Sequence, residues 1–200
     1  MTYRKHILLA SASPRRRELL ARANYDFEVV VSDADETVPP QLTPLQAAQH
    51  TARAKALAVA RSAPEDALVI GADTMVVLDG HIYGKPQDAS QACEMLRELS
   101  GKTHEVITGV CLAEPDHDAN IRIETFAEVT KVTFRELSDA EIEAYVGTGE
   151  PMDKAGAYGI QGKGGALVDH TEGDFDNVVG LPVTALVERL RALGLDPTHS

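Results

Sequence analysis

The chain has 200 residues, of which 44% are hydrophobic, and its formal net charge is −12 at pH 7. Its length and apolar content suffice for a single domain, residues 1–200, with a sizeable core in one or two lobes. The acidic excess argues against a nucleic-acid polymer or an anionic membrane surface as partner, because both require a basic protein face, whereas a small phosphorylated ligand needs only a local cluster of positive charge.

The first predicted strand and helix meet at a serine-containing turn. Ile7–Ala10 is a short apolar strand, and Pro14 suits the first helical position, with Ser13 as the N-cap. Arg15–Arg17 then crowd the first turn, where the helix dipole is already positive and each cation costs roughly 0.3–1 kcal/mol. A sequence that accepts this cost has an anion to place there, so we interpret Ser11–Arg17 as a phosphate-binding turn. The alternative is a solvated basic helix face.

The second predicted helix places a lysine beside its apolar face. Thr43 and Pro44 repeat the N-cap and proline start signal, and the apolar periodicity continues to about Arg61. Lys55 lies at the edge of the apolar face rather than opposite it. Its ammonium group either reaches the surface along its aliphatic stem or points into a cleft.

A carboxylate directly follows a buried strand. Asp73 comes after the apolar run Leu68–Ala72, which is typical of a strand covered on both faces, and the apolar pattern resumes at Met75–Leu78. A carboxylate at the end of such a strand costs free energy unless it is paired, hydrogen-bonded or bound to a metal ion. We therefore predict a functional carboxylate at Asp73, with a turn cap as the alternative.

A second group of carboxylates ends the strand predicted over Phe27–Val31. Asp33, Asp35 and Glu36 follow it in an acidic turn. Glu36 and Asp73, at two strand ends, would suit a magnesium ion, which takes few protein ligands and keeps waters and substrate phosphates. The alternative is a solvated acidic turn.

The remaining elements complete an α/β pattern whose long strands indicate a bent or mixed sheet. They are a tight hairpin at Asp79-Gly80, a helix from Asp88 or Ser90 to Gly101, strands near 105–112 and 121–134 around a polar loop at Pro115–Asn120, a short helix opened by the capping box Ser138–Glu141, a strand at Ala166–Asp169 and a final helix from Pro182.

Two loops carry further candidates. Lys85 lies between Gly84 and Pro86, and with Lys55 and the arginine turn it would form a polyphosphate clamp. The segment 153–165 is rich in glycine, which permits close backbone approach to a ligand. Gln161 within it offers an amide that both donates and accepts, which suits reading the edge of a base. The alternatives are a surface lysine and a structural loop.

Several other motifs carry no site. Ser100–Thr103 contains the last residues of a P-loop but ends a helix rather than opening one. Cys93 and Cys111 are expected to be reduced core thiols, and His104 and His170 to be surface histidines, because no metal or triad spacing connects them. No signal peptide or membrane-length apolar run is evident, which leads us to expect a cytoplasmic protein.

Five motifs in order resemble those of the Maf family of nucleotide pyrophosphatases, over nearly the whole chain. They are Leu9–Arg16, Gly71–Thr74, Gly84–Pro86, Ser100–His104 and Lys154–Gly162. The resemblance implies a bent mixed sheet in two lobes with flanking helices, related to the inosine-triphosphate pyrophosphatase fold, around a central cleft. It further implies a homodimer that hydrolyses a nucleoside triphosphate to the monophosphate and pyrophosphate with a divalent cation, Mg²⁺, Mn²⁺ or Co²⁺.

The resemblance also assigns roles to individual residues. Asp73 matches the family's proposed general base, and with Glu36 it would hold the metal. The positions that match the lining of the family's cleft are Ser11, Arg15, Arg16, Glu36, Lys55 and Lys85.

Three positions match the family branch that acts on dTTP and UTP: Arg15, Thr74 and Gln161. A branch acting on 7-methyl-GTP has tryptophan where Arg15 stands, and this chain contains no tryptophan. Two alternatives stay open: a nucleotide-binding regulator of septum formation, and a broader pyrophosphatase of the inosine-triphosphate type.

Overall fold

The computed structural model describes residues 5–116 and 120–198. The strands in these residues are β1 (His6–Ala10), β2 (Phe27–Val29), β3 (Ala67–Leu78), β4 (His81–Tyr83), β5 (Thr103–Pro115), β6 (Ile121–Phe134) and β7 (Val168–Glu172). They form one sheet in the order β2-β1-β3-β5-β6-β7, and β4 pairs with the end of β3. The pairs β1–β2 and β1–β3 are parallel and the other pairs are antiparallel.

The helices flank this sheet. They are α1 (Pro14–Arg22), α2 (Pro44–Ala60), α3 (Ala89–Leu99), α4 (Asp139–Val146), α5 (Phe175–Val179) and α6 (Val183–Ala192), with short 3₁₀ turns at Glu150–Asp153, Ala155–Ala157 and Gly162–Leu167. The predicted α/β class with a mixed sheet and flanking helices is confirmed. The division into two lobes stays a prediction. None of these described helices has the length and hydropathy that crossing a membrane requires.

Strand β3 corrects the predicted position of Asp73. The sequence predicts a strand that stops before Asp73, but β3 is continuous and Asp73 lies within it. The pairing with β1 ends at Ala10 opposite Gly71, while the antiparallel ladder with β5 continues and places Asp73 opposite Gly109. The second ladder keeps the backbone extended, so Asp73 lies on the part of β3 that extends past the end of β1.

Helix α2 packs unusually closely on β3 and β5. A Cβ atom built on Gly71 would lie 2.4 Å from the Ala52 carbonyl oxygen, and one built on Gly109 would lie 2.4 Å from the Ala48 carbonyl oxygen. The helix therefore rests on two glycines of neighbouring strands through its fully buried alanines. This close approach brings the lysine at position 55 of α2 to the strand that carries Asp73.

The C-terminal third differs most from the sequence prediction. The strand predicted at 166–169 begins only at Val168, because Gly162–Leu167 forms a 3₁₀ turn. The sequence pattern does not predict helix α5. Nearer the N-terminus, β2 ends at Val29, two residues before the end of the predicted strand. The predicted polar loop at 115–120 includes residues 117–119, which lie outside the described residues.

The prediction that His104 lies at the surface is wrong. Its side chain is 1% exposed and packs edge-on against the rings of Phe134 and Tyr158, with Nε2 2.7 Å from the Tyr158 hydroxyl oxygen. Burial lowers the pKa of His104 to about 4, so the imidazole is neutral at neutral pH. His104 lies two residues before the buried Val106 in β5, so the two-residue alternation of the strand places it on the same buried face.

The other histidine and the cysteines behave as predicted. His170 is exposed, and both cysteines are free thiols. Cys111 is buried and Cys93 partly so. Burial raises the pKa of the Cys111 thiol to about 12, which keeps it protonated and unreactive.

Candidate functional site

One cleft of about 430 Å³ is lined by nine of the side chains that the sequence singled out. It lies where β1 ends, which is where open α/β sheets commonly bind ligands. The predicted residues among its lining are Ser11, Arg15, Arg16, Glu36, Lys55, Asp73, Thr74, Lys85 and Gln161. The structure thus brings these residues together, while the roles proposed for them stay predictions.

The turn after β1 is built as the sequence predicts, and its three arginines separate. Ser13 caps α1 by accepting a hydrogen bond from the backbone N–H of Arg16. Arg15 is half-buried at the cleft, Arg16 is buried and Arg17 is exposed outside it. Only the first two can contact a ligand in the cleft, and Arg17 fits the alternative of a solvated cation.

Arg16 is held by protein groups on three sides. Its Nε donates to the Gly180 carbonyl oxygen at 2.7 Å, Nη2 to Thr74 Oγ1 at 3.0 Å, and Nη1 to Ser11 Oγ at 3.4 Å. Burial lowers the pKa of this guanidinium while the charge of Asp73 opposes the shift, yet arginine remains a cation in proteins. The side chain therefore ties α1, β3 and the end of α5 together, with two of its five N–H donors left for an anion.

Thr74 belongs to a directed chain of hydrogen bonds. The Thr108 hydroxyl, which is fully buried, donates to the Asn177 carbonyl oxygen at 3.0 Å. Its proton is thus committed, so Thr74 Oγ1, 2.9 Å away, is the donor to Thr108 and the acceptor from Arg16. The Thr74 hydroxyl also lies 3.5 Å from the Gly180 carbonyl oxygen, so its proton has protein acceptors and it can offer a ligand a lone pair.

Two carboxylates meet at one lysine on the floor of the cleft. Lys55 Nζ donates to Asp73 Oδ1 at 2.8 Å and lies 3.4 Å from Glu36 Oε1. The side chains of Lys55 and Asp73 are 13% and 17% exposed, and that of Glu36 is 57% exposed. A charge-assisted bond so shielded from water fixes the orientation of the Asp73 carboxylate.

This pair of carboxylates fits a magnesium-like cation. Within the described part of the chain, no group of three or more His, Cys, Asp or Glu side chains is arranged to hold a metal ion. Mg²⁺ in phosphate-processing sites typically uses one or two carboxylates and completes its octahedron with waters and substrate oxygens. Glu36 and Asp73 match that requirement, and Lys55 neutralises them here.

The cleft is cationic although the chain is strongly acidic. Its charged lining residues are the cations Arg15, Arg16, Lys55, Lys85 and Lys154 and the carboxylates Glu36, Asp73 and Asp153. Arg15 and Lys85 form no ion pair with any described residue, so both are available to an anion. A local positive field in a chain of net charge −12 fits a small polyanion.

Some residues of this site were missed from the sequence. Lys154 lines the cleft with its ammonium group held by the Glu150 carbonyl oxygen at 2.7 Å and by Asp153 at 2.8 Å. The charged pair Asp153-Lys154 ahead of the glycines was the available signal. Gly180, which lines the cleft, and Asn177, whose carbonyl oxygen accepts from Thr108 behind it, were missed with α5, because five residues are too few for a periodic pattern.

Fold and cleft define a mixed α/β protein with a cation-lined cleft at the carboxyl end of its parallel strands. Residues 6–193 match the family model described as Maf-like protein, and the chain belongs to the Maf family. It is 50% identical over 196 residues to the dTTP/UTP pyrophosphatase of Bacillus cytotoxicus, covering 98% of this chain and 100% of that protein. It is 48% identical to the protein of the same name from Bacillus cereus, covering 98% and 94%.

Two solved structures are similar to this chain at low sequence identity. The Ham1 protein of Staphylococcus aureus is 16% identical with a TM-score of 0.47, covering 65% of this chain and 72% of that one. The nucleoside-triphosphatase or dITP/XTP pyrophosphatase of Mycobacterium abscessus is 17% identical with a TM-score of 0.43, covering 94% and 97%.

Proposed function

We propose that this protein hydrolyses dTTP and UTP to the nucleoside monophosphate and pyrophosphate. The observation that carries the proposal is the Asp73–Lys55–Glu36 group on the floor of a cation-lined cleft. The substrates are supported by the names of the relatives and by Arg15, Thr74 and Gln161 at the cleft.

Asp73 acts as the general base in this proposal. Its carboxylate accepts a proton from a water molecule as that water attacks the α-phosphorus of the bound triphosphate. Lys55 orients the carboxylate through its 2.8 Å hydrogen bond and keeps it aimed into the cleft. Such positioning lowers the free energy of activation because the base is already aligned.

The cations bind and stabilise the triphosphate. Arg15 and Lys85 are available to phosphate oxygens, and Arg16 adds charge from the buried wall. These fixed charges would stabilise the negative charge that develops on the leaving pyrophosphate. A divalent cation, Mg²⁺, Mn²⁺ or Co²⁺, held by Glu36 and Asp73 would neutralise phosphate charge when bound.

A panel of nucleoside triphosphates tests the proposal. Pyrophosphate release from dTTP, UTP, CTP, GTP and ITP is measured with Mg²⁺, Mn²⁺ and Co²⁺ in turn. We expect dTTP and UTP to give the highest kcat/KM, and chelation of the metal to abolish turnover. Faster turnover of ITP would favour the broader pyrophosphatase, and tight binding with no turnover of any member would favour the nucleotide-sensing regulator.

We also propose that the protein works as a homodimer in the cytoplasm. The dimer rests on the family resemblance, and the location on the pool of free nucleoside triphosphates that the reaction requires. Light scattering in solution tests the dimer, because a particle of the single-chain mass of 21.5 kDa would contradict it.

A further inference from the structure

The loop that carries Gln161 is tied at both ends by two side chains outside it. At its start, the backbone N–H of Gly159 donates to the Tyr145 hydroxyl oxygen at 3.2 Å. At its end, the N–H of Gly164 donates to Glu150 Oε1 at 3.0 Å.

The two side chains are joined to each other. The Tyr145 hydroxyl donates to Glu150 Oε1 at 2.8 Å, and the other carboxylate oxygen, Oε2, accepts from the N–H of Lys163 at 3.2 Å. The Tyr145 hydroxyl and the Glu150 carboxylate thus accept hydrogen bonds from three backbone N–H groups of the six-residue loop 159–164. We call Tyr145 and Glu150 the loop latch.

The latch closes the loop at a single point. A Cβ atom on Gly164 would lie 2.1 Å from the Gly159 carbonyl oxygen and 2.6 Å from the Tyr145 hydroxyl, so both ends of the loop meet there. Gly162 has φ +75°, a conformation that L side chains rarely adopt. Gln161 therefore lies near the apex of a tight closed loop and is exposed at the cleft.

The latch is anchored in the core on its far side. Tyr145 is 5% exposed and packs in the apolar cluster formed by α3, α4 and the adjoining strands. Burial alone would raise the pKa of Glu150, but hydrogen bonds from Tyr145, Gly164 and Lys163 lower it overall. The carboxylate is thus ionised at neutral pH and able to accept from all three groups.

Tyr145 and Glu150 do not line the cleft among its described residues. Their hydrogen bonds instead restrict the loop conformations that Gln161 can sample. Because an amide reads a base edge only in a fixed orientation, freeing the loop would weaken recognition of the base while leaving Asp73 and the phosphate-binding cations in place.

We infer that Tyr145 and Glu150 are positioning residues for base selection, acting by holding Gln161 against the pyrimidine. This inference rests on the proposed function and names two residues through which its specificity is set.

The test is Tyr145→Phe in the full chain, assayed on dTTP and CTP with Mg²⁺. Loss of the hydroxyl removes both the Gly159 contact and the Glu150 contact, so we expect KM for dTTP to rise about tenfold with kcat within about twofold. The preference for dTTP over CTP should fall by a similar factor.

The matched control is Tyr83→Phe. Tyr83 is equally buried, at 6%, belongs to the same core cluster and donates its hydroxyl to the Glu98 carboxylate at 2.5 Å, but it does not line the cleft. It measures the general cost of losing a buried tyrosine hydroxyl. We expect it to retain the KM and the selectivity of the unmodified chain.

A second variant and a double mutant keep the inference testable if Tyr145→Phe is unstable. Glu150→Gln loses one acceptor oxygen and should shift KM and selectivity in the same direction. In a Gln161→Ala background neither change should alter selectivity further, because the residue they position is gone.

The outcomes separate the latch from the proposed function. If the unmodified chain is active on dTTP but Tyr145→Phe has the same KM and selectivity as Tyr83→Phe, the role of the latch is overturned and the proposed function is not. The role of the latch is also overturned if Tyr145→Phe changes selectivity equally in the unmodified chain and in the Gln161→Ala background. An unmodified chain with no activity on dTTP or UTP overturns the proposed function and the latch together.

Discussion

Asp73→Asn is expected to lower pyrophosphate release from dTTP on the order of 10³-fold while nucleotide affinity changes by about threefold or less. Asparagine keeps the shape of the side chain and an oxygen that can accept from Lys55, but it cannot take a proton from water. The loss should therefore fall on kcat. Single-turnover kinetics and equilibrium binding of dTTP measure the two quantities separately.

The matched control for this substitution is Asp35→Asn. Asp35 lies one residue from Glu36, is exposed, and accepts a hydrogen bond from the backbone N–H of Thr37 at 2.9 Å without lining the cleft. Its variant should turn over dTTP as the unmodified chain does. If Asp73→Asn retained kcat within a few fold, Asp73 would not be the base.

Gly71→Ala is expected to destabilise the fold by about 3 kcal/mol or more. The added methyl group would lie 2.4 Å from the Ala52 carbonyl oxygen and 2.7 Å from the Ala56 nitrogen, and both are backbone atoms of α2. The clash cannot be relieved by rotating a side chain, so the helix must shift. Urea denaturation at neutral pH measures the loss in the free energy of unfolding.

The same substitution should also reduce activity, because Lys55 lies on the helix that moves. Gly84→Ala is the matched control: a Cβ atom there meets nothing within 4 Å, and its φ is not in the left-handed region. We expect Gly84→Ala to change the free energy of unfolding by less than about 0.5 kcal/mol. A Gly71→Ala variant as stable as Gly84→Ala would contradict the close packing of α2.

Local signals in the sequence were sufficient for much of the site. Ser13 and Pro14 mark the helix start through capping chemistry, and the charge of the arginine turn conflicts with the helix dipole in a way that indicates an anion. The structure places that turn at the cleft. The site residues on long, strongly patterned elements, Lys55 and Asp73, were also found.

Long-range pairing explains what the sequence could not predict. The continuity of β3 past Asp73 depends on its ladder with β5, more than thirty residues away along the chain, which no local pattern around Asp73 reveals. The burial of His104 likewise depends on ring contacts with Phe134 and Tyr158. The latch around Glu150 involves backbone N–H groups, which leave no compositional signal.

Hydrolysis of dTTP in ¹⁸O-labelled water tests most directly whether this cleft directs water to the α-phosphorus. The expected products are dTMP and pyrophosphate, with the label in dTMP alone, because the attacking water becomes part of the monophosphate. Label in pyrophosphate, or release of dTDP and inorganic phosphate, would contradict the assignment.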